Sequence, residues 1–160
     1  MNETVVIGIG NAARGDDGAG LAVARRLRRD DIEGASVVES DGDMTALLQA
    51  FEGRRRCILV DASRGGLRPG TVRRFEAHGQ RLPAFLGAGS THALGLADAI
   101  ELARTLGQLP AVVVVYAIEG RSFQDGGAMS PSVRNAVQIA ERCIRAEIDL
   151  GRDGFIPAEA

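Results

Sequence analysis

The sequence predicts an α/β fold: a single three-layer domain over residues 1–150, with a twisted, mostly parallel sheet of about five strands and helices on both faces. Residues 151–160 read as a loosely held tail. Three observations carry this. Short β-branched apolar runs alternate with longer segments of helical periodicity. The runs are apolar enough to be buried strands. The length of 160 residues suits one core, and no internal repeat, low-complexity tract or change of composition divides it.

The first strand is Thr4–Ile9, followed by a glycine-framed loop and a helix from about Gly18 to Arg29. Leu21, Val23, Ala24 and Leu27 give that helix its apolar face. Arg25, Arg26, Arg28 and Arg29 lie near its end, where cations suit the helix dipole. They read as a solvated helix end, with a docking patch as the alternative. Ala35–Glu39 is the second strand and Met44–Phe51 a short helix. Arg56–Val60 is the third strand, ending in Asp61. The more polar Thr71–Glu76 suits a sheet edge. A Gly- and Pro-rich loop, His78–Ser90, leads to a helix from about His92 to Leu106, closed by Gly107. Val112–Ala117 is the most apolar strand and suits a sheet centre. After a loop, Glu119–Met129, the last helix runs from about Pro131 to Leu150, with Ser130 as N-cap and proline at the first helical position.

Composition excludes several classes. The net charge of −2 is unlike that of a general nucleic-acid or anionic-membrane binder. All 19 basic residues are arginine, which excludes Schiff-base and P-loop lysine chemistry. The opening MNETVVIGIG lacks a basic and long apolar leader, and Ala111–Ile118 is too short to span a bilayer. Cys57 and Cys143 read as reduced core thiols, so a cytoplasmic protein is expected. No exposed apolar stripe demands a partner, and a monomer is expected.

In this architecture sites form outside the carboxyl ends of the strands. The segments there are Gly10–Asp17, Ser40–Asp43, Asp61–Gly65 and Glu119–Gly127. They offer Asp16 and Asp17, then Asp61; His92 opens the helix that follows the Gly- and Pro-rich loop. Carboxylates with an imidazole suit a divalent transition metal. A helix N-terminus disfavours imidazolium, and neutral imidazole is the metal-binding form. Each residue also has a structural reading. One of the two adjacent acids, Asp16 rather than Asp17, is expected to stabilise a helix N-terminus. Asp61 can cap a turn, and His92 can be a buried helix-start residue. His78 reads as a surface residue. No G-x-S-x-G, H-E-x-x-H or C-x-x-C is present.

The stretch GIGNAARGDDGAG, Gly8–Gly20, also fits the permissive G-x-G-x-x-A dinucleotide form, with Glu39 or Asp41 available for a ribose. Two features oppose an oxidoreductase built on it. The loop runs on through Gly15 where a helix is required, and two acids sit where a pyrophosphate needs bare N–H donors. Two like charges ~4 Å apart repel by roughly 4 kcal/mol at an effective dielectric of ~20. Such a loop favours a cation.

Four segments together resemble the nickel–iron hydrogenase maturation endopeptidases, over about Val5–Glu147. They are GIGNAARGDDGAG; ILVDA, before Ser63; STHALGLADAI, from Ser90; and GGAMSPSV, Gly126–Val133. The resemblance implies an α/β fold and an enzyme that trims the C-terminal extension of a hydrogenase large-subunit precursor after nickel insertion. It implies Asp17, Asp61 and His92 as metal-contacting and candidate catalytic residues. The family's D-G-G segment appears as Asp41-Gly42-Asp43. Asp41 and Gly42 are the implied substrate-binding residues, and Asp43 replaces the second glycine with a charge. The nickel is best regarded as part of the substrate: two carboxylates and one imidazole can complete the shell of an ion already held by substrate thiolates. Cadmium or zinc can take its place in crystals. The base that activates water is left open between Asp17 and Asp61. A non-catalytic assembly chaperone with the same surface is the remaining alternative.

Overall fold

A computed structural model describes residues 2–83 and 95–152. In chain order the elements are β1 (Thr4–Ile9), a 3₁₀ turn (Gly15–Gly18), α1 (Ala19–Arg29), β2 (Ser36–Ser40), α2 (Met44–Phe51), β3 (Arg56–Ser63), β4 (Val72–Glu76), α3 (Leu96–Thr105), β5 (Val112–Glu119) and α4 (Pro131–Arg152). The strands form one sheet in the order β2-β1-β3-β5-β4. All pair in parallel except β4, which runs antiparallel along β5 at the edge.

Period-2 alternation sorts the strand side chains onto two faces. Val6, Ile58, Val60, Val114 and Ile118 pack with α1 and α4. Val5, Ile7, Leu59, Val113 and Val115 pack with α2 and α3. The sheet is thus the middle of three layers. On α4 the buried stripe is Val133, Ala136, Val137, Ala140, Ile144 and Ile148, the spacing of one helix face.

Two strands extend beyond their expected ends. β3 and β5 stay paired through Asp61↔Ala117 to Ser63↔Glu119, so Asp61 and Glu119 are strand residues. Neither is a typical strand former, and the long parallel ladder overrides their propensity. β5 is an interior strand, but β3 occupies the centre. The helix expected from His92 opens instead at Leu96, with Gly95 extended at its N-cap. The arginines of α1 form a solvated end, as expected, but one tied by ion pairs: exposed Arg25 and Arg28 pair with Glu39, exposed Arg29 with Asp30, and half-buried Arg26 with Glu141. Cys57 is buried, as expected, but Cys143 is exposed. It lies on α4 just beside the buried Ala140–Ile144 stripe. His78 is half-buried, not a surface residue, because its Nδ1 accepts the Val113 N–H at 3.1 Å and prolongs the pairing of β4 with β5.

Candidate functional site

The connection from β1 to β2 places α1 on one face of the sheet, and that from β2 to β3 places α2 on the other. Neighbouring strands β1 and β3 are therefore the topological switch point, and a crevice forms outside their carboxyl ends. β1 delivers the Gly10–Gly18 loop to that crevice and β3 delivers Asp61.

The loop is shaped by close backbone approach. A Cβ on Gly20 would lie 2.3 Å from the Val60 carbonyl oxygen and 2.4 Å from that of Ile9. One on Gly10 (φ +151°) would lie 1.9 Å from the Asp17 carbonyl oxygen. These glycines press α1 and the 3₁₀ turn onto the strand ends. The amides are also spoken for. Gly10 N–H donates to the Ser40 carbonyl at 3.0 Å, and Asn11 N–H to that of Asp17 at 3.2 Å. Glu39, the ribose candidate, accepts from Arg25 at 2.8 Å and Arg28 at 2.7 Å.

The adjacent acids have different environments. Asp16 is fully buried. It accepts hydrogen bonds from the N–H groups of Arg121 (2.8 Å), Ser122 (3.0 Å) and Ser130 (2.7 Å) and from the Ser130 hydroxyl (2.8 Å). Burial pushes its pKa up, but the bonds from Ser122, Ser130 and Arg121 outweigh this and hold it below the usual value. Asp16 does serve a helix N-terminus, that of α4 rather than of its own helix. For the same reason Ser130 does not cap α4 with its side chain; its hydroxyl is given to Asp16.

Asp17 points elsewhere. It is 5% exposed, and its carboxylate lies 3.6 Å from the Arg14 guanidinium, which also lies 3.5 Å from exposed Asp125. Asp61 is likewise 5% exposed. Its Oδ1 accepts the Ala62 N–H at 2.8 Å. Burial, and then the negative charge of Asp17, raise its pKa well above the ordinary value against that hydrogen bond. Among the described residues no cation pairs with it. The fold thus brings Asp17 and Asp61, 44 positions apart in the sequence, into one electrostatically coupled pair. His92 lies outside the described residues, and among those described no group of three metal-binding side chains occurs.

Asp41 is exposed, and its Oδ1 accepts the Asp43 N–H at 2.9 Å across the turn at Gly42 (φ +93°). Asp43, which stands where a second glycine was expected, accepts the Ala46 N–H at 3.0 Å. It is the N-cap of α2, so its charge has a structural use.

Sequence reasoning missed Glu119. This residue is 2% exposed at the end of β5. Its carboxylate accepts from the Ser63 hydroxyl (3.1 Å) and from the N–H groups of Gly65 (2.8 Å) and Leu67 (3.1 Å), and lies 3.7 Å from Arg73. It fixes the loop that leaves β3 just past Asp61. The signal was available: an acid ending the apolar run VVVVYAI and followed at once by Gly120. A cavity of about 480 Å³ opens at the other edge of the sheet, among Thr45, Gln49, Glu52, Arg54 and Gln108. It gathers no comparable set of buried acids.

The Hydrogenase maturation protease family model (HycI) matches residues 22–147, a span that includes Asp61 and His92 but begins after Asp17. The chain is 31% identical over 143 residues to the hydrogenase expression/formation protein HupD of Thiocapsa roseopersicina, covering 86% of this chain and 64% of HupD. With HoxM of Cupriavidus necator, named likewise, it shares 31% identity over 141 residues, covering 85% of this chain and 69% of HoxM. The chain thus spans about two thirds of the length of these relatives. Its fold is similar to that of the hydrogenase maturating endopeptidase HybD from E. coli, with a TM-score of 0.74, 22% identity, and coverage of 96% and 94% of the two chains. A glycine-framed acidic loop docked at a β1/β3 switch point, in a chain with this ancestry, has one reading: the chain belongs to the hydrogenase maturation protease family.

Proposed function

We propose that this protein is an endopeptidase that removes the C-terminal extension of a nickel–iron hydrogenase large-subunit precursor, and that it reads the nickel the precursor already carries. Family membership supports the substrate class. The observation that carries the site is the coupled, buried pair Asp17 and Asp61 at the switch point. Two carboxylates held together out of water repel, and a divalent cation relieves that repulsion. Arg14 neutralises only the Asp17 side.

In this proposal Asp17, Asp61 and His92 complete the coordination of an ion whose other ligands belong to the precursor. An incomplete oxygen and nitrogen set binds free metal weakly and a partly ligated ion well. Specificity then comes from coordination more than from a side-chain pocket. The substrate's nickel supplies Lewis acidity at the scissile carbonyl, and Asp17 or Asp61 takes the proton of the attacking water. Asp41, exposed on the turn at Gly42, meets the precursor surface.

The test is mass spectrometry of a precursor incubated with the protein. The precursor is expected to lose a short C-terminal peptide only when nickel-loaded, and Asp17→Asn and Asp61→Asn are each expected to slow this at least a hundredfold. Full-rate processing by both variants would end the proposal. Binding without any loss of mass would favour the assembly chaperone.

A further inference from the structure

We propose that Arg64, the residue directly following β3, binds a carboxylate of the protein substrate and so anchors the segment to be removed. The inference rests on the processing function proposed above.

Four observations converge on Arg64. Its side chain is exposed, and its guanidinium carbon lies 4.2 Å from the centroid of the Phe123 ring. A guanidinium held over a ring face loses rotamer freedom while its in-plane N–H donors stay available to a ligand. Second, among the described residues no carboxylate pairs with it. Arg14, Arg25, Arg26, Arg28, Arg74 and Arg104 face acids of this chain; Arg68, Arg121 and Arg134 share the lack of a carboxylate partner, but among the described residues Arg64 alone combines it with stacking on a ring. Third, both sides of the stack are pinned by buried carboxylates. Glu119 holds Gly65 and Leu67, just past Arg64. Asp16 holds Arg121 and Ser122, just before Phe123, which is itself 5% exposed. A long side chain is ordinarily costly to order on binding, and here much of that ordering precedes the ligand.

The fourth observation is position. Arg64 lies three residues beyond Asp61, roughly 10 Å further along an extended chain at ~3.3 Å per residue. A peptide whose scissile bond sits at Asp17 and Asp61 would reach Arg64 within a few residues. A planar two-pronged donor matches a carboxylate. In a precursor tail that group is either the terminal α-carboxylate or an Asp or Glu side chain.

The test is a double-mutant cycle. An N-terminally fluorescent peptide of the precursor's tail is titrated with wild-type protein, Arg64→Gln and Arg64→Lys, and binding is read by anisotropy. The peptide is used in free-acid form, C-terminally amidated, and with its acidic side chains changed to amides. Melting temperatures confirm that the variants fold. Arg64→Gln is expected to weaken binding of the free acid at least tenfold, and Arg64→Lys by less. One of the altered peptides is expected to lose the same factor on wild-type protein and nothing further on Arg64→Gln, which identifies the carboxylate. An unchanged Kd for Arg64→Gln, or losses that multiply independently, overturns the proposal. Failure of the processing function shows separately, as wild-type protein leaving the nickel-loaded precursor intact.

Discussion

Asp16 and Asp17 are neighbours with opposite assignments, and the difference lies in what surrounds each carboxylate. Asp16 meets only donors, which hold it ionised. Its contribution to stability is present above the ordinary carboxylate pKa and is lost as the pH falls through its lowered value. Asp16→Asn presents an amide to donors, and is expected to destabilise the fold at pH 7 by on the order of 3 kcal/mol, measured by urea unfolding. Asp61 behaves in the opposite sense. Its pKa is raised in the folded state, so its ionisation costs stability as the pH rises from about 4 through the raised value. Asp61→Asn is expected to raise the melting temperature at pH 7 by roughly 2–4 °C, the change that about 1 kcal/mol produces in a chain of this size. That gain is expected to shrink as the pH falls through about 4 and to vanish near pH 2, where the wild-type carboxyl is protonated in both states. A variant that is more stable yet inactive marks a residue kept for chemistry; a lower melting temperature at pH 7 would contradict this account.

At the level of elements, the site depends on how closely α1 approaches β1 and on how the loops at the strand ends are tied. A methyl group on Gly20 meets two backbone carbonyl oxygens that cannot move without parting α1 from the sheet. Gly20→Ala is expected to cost about 1–3 kcal/mol or more, read as a lower urea midpoint with unchanged m-value. Glu119 ties β5 to the loop after β3. Replacement by Ala strands the Gly65 and Leu67 N–H groups and the Ser63 hydroxyl. Hydrogen exchange at Gly65 and Leu67 is expected to speed up at least tenfold in Glu119→Ala, with the core of β1 unaffected. Equal protection in the variant would show that the loop is held by something else.

For the whole molecule, both cores are apolar and sit on opposite faces of the sheet, and neither draws on the candidate metal-binding acids. A chelator is therefore expected to leave the melting temperature of the isolated chain unchanged. Added nickel, zinc or cadmium is expected to raise it modestly in wild-type protein through binding to the folded state alone. That rise is expected to disappear in Asp17→Asn and Asp61→Asn. A large loss of stability on chelation would assign the metal a structural part instead. Among the described residues no helix is long and apolar enough to cross a membrane.

Much of this protein was legible in its sequence because local signals are strong where burial is complete. The runs at Thr4–Ile9 and Val112–Ala117 are apolar on both faces, and in this architecture only the middle layer of three accommodates that. The sequence also identified Asp17 and Asp61 as emerging on one edge, since a parallel sheet puts all its carboxyl ends there. What it left open were matters of pairing. The extra length of β3 and β5 comes from their mutual ladder, not from the propensity of Asp61 or Glu119. The division of labour between Asp16 and Asp17 is set by amides more than a hundred residues away along the chain. Glu119 reads as a loop acid until Gly65 and Leu67 are seen to point their N–H groups at it. Side-chain chemistry and burial periodicity are properties of neighbouring residues and survive in one dimension; hydrogen bonds and charge coupling between distant segments exist only once the sheet has brought those segments together.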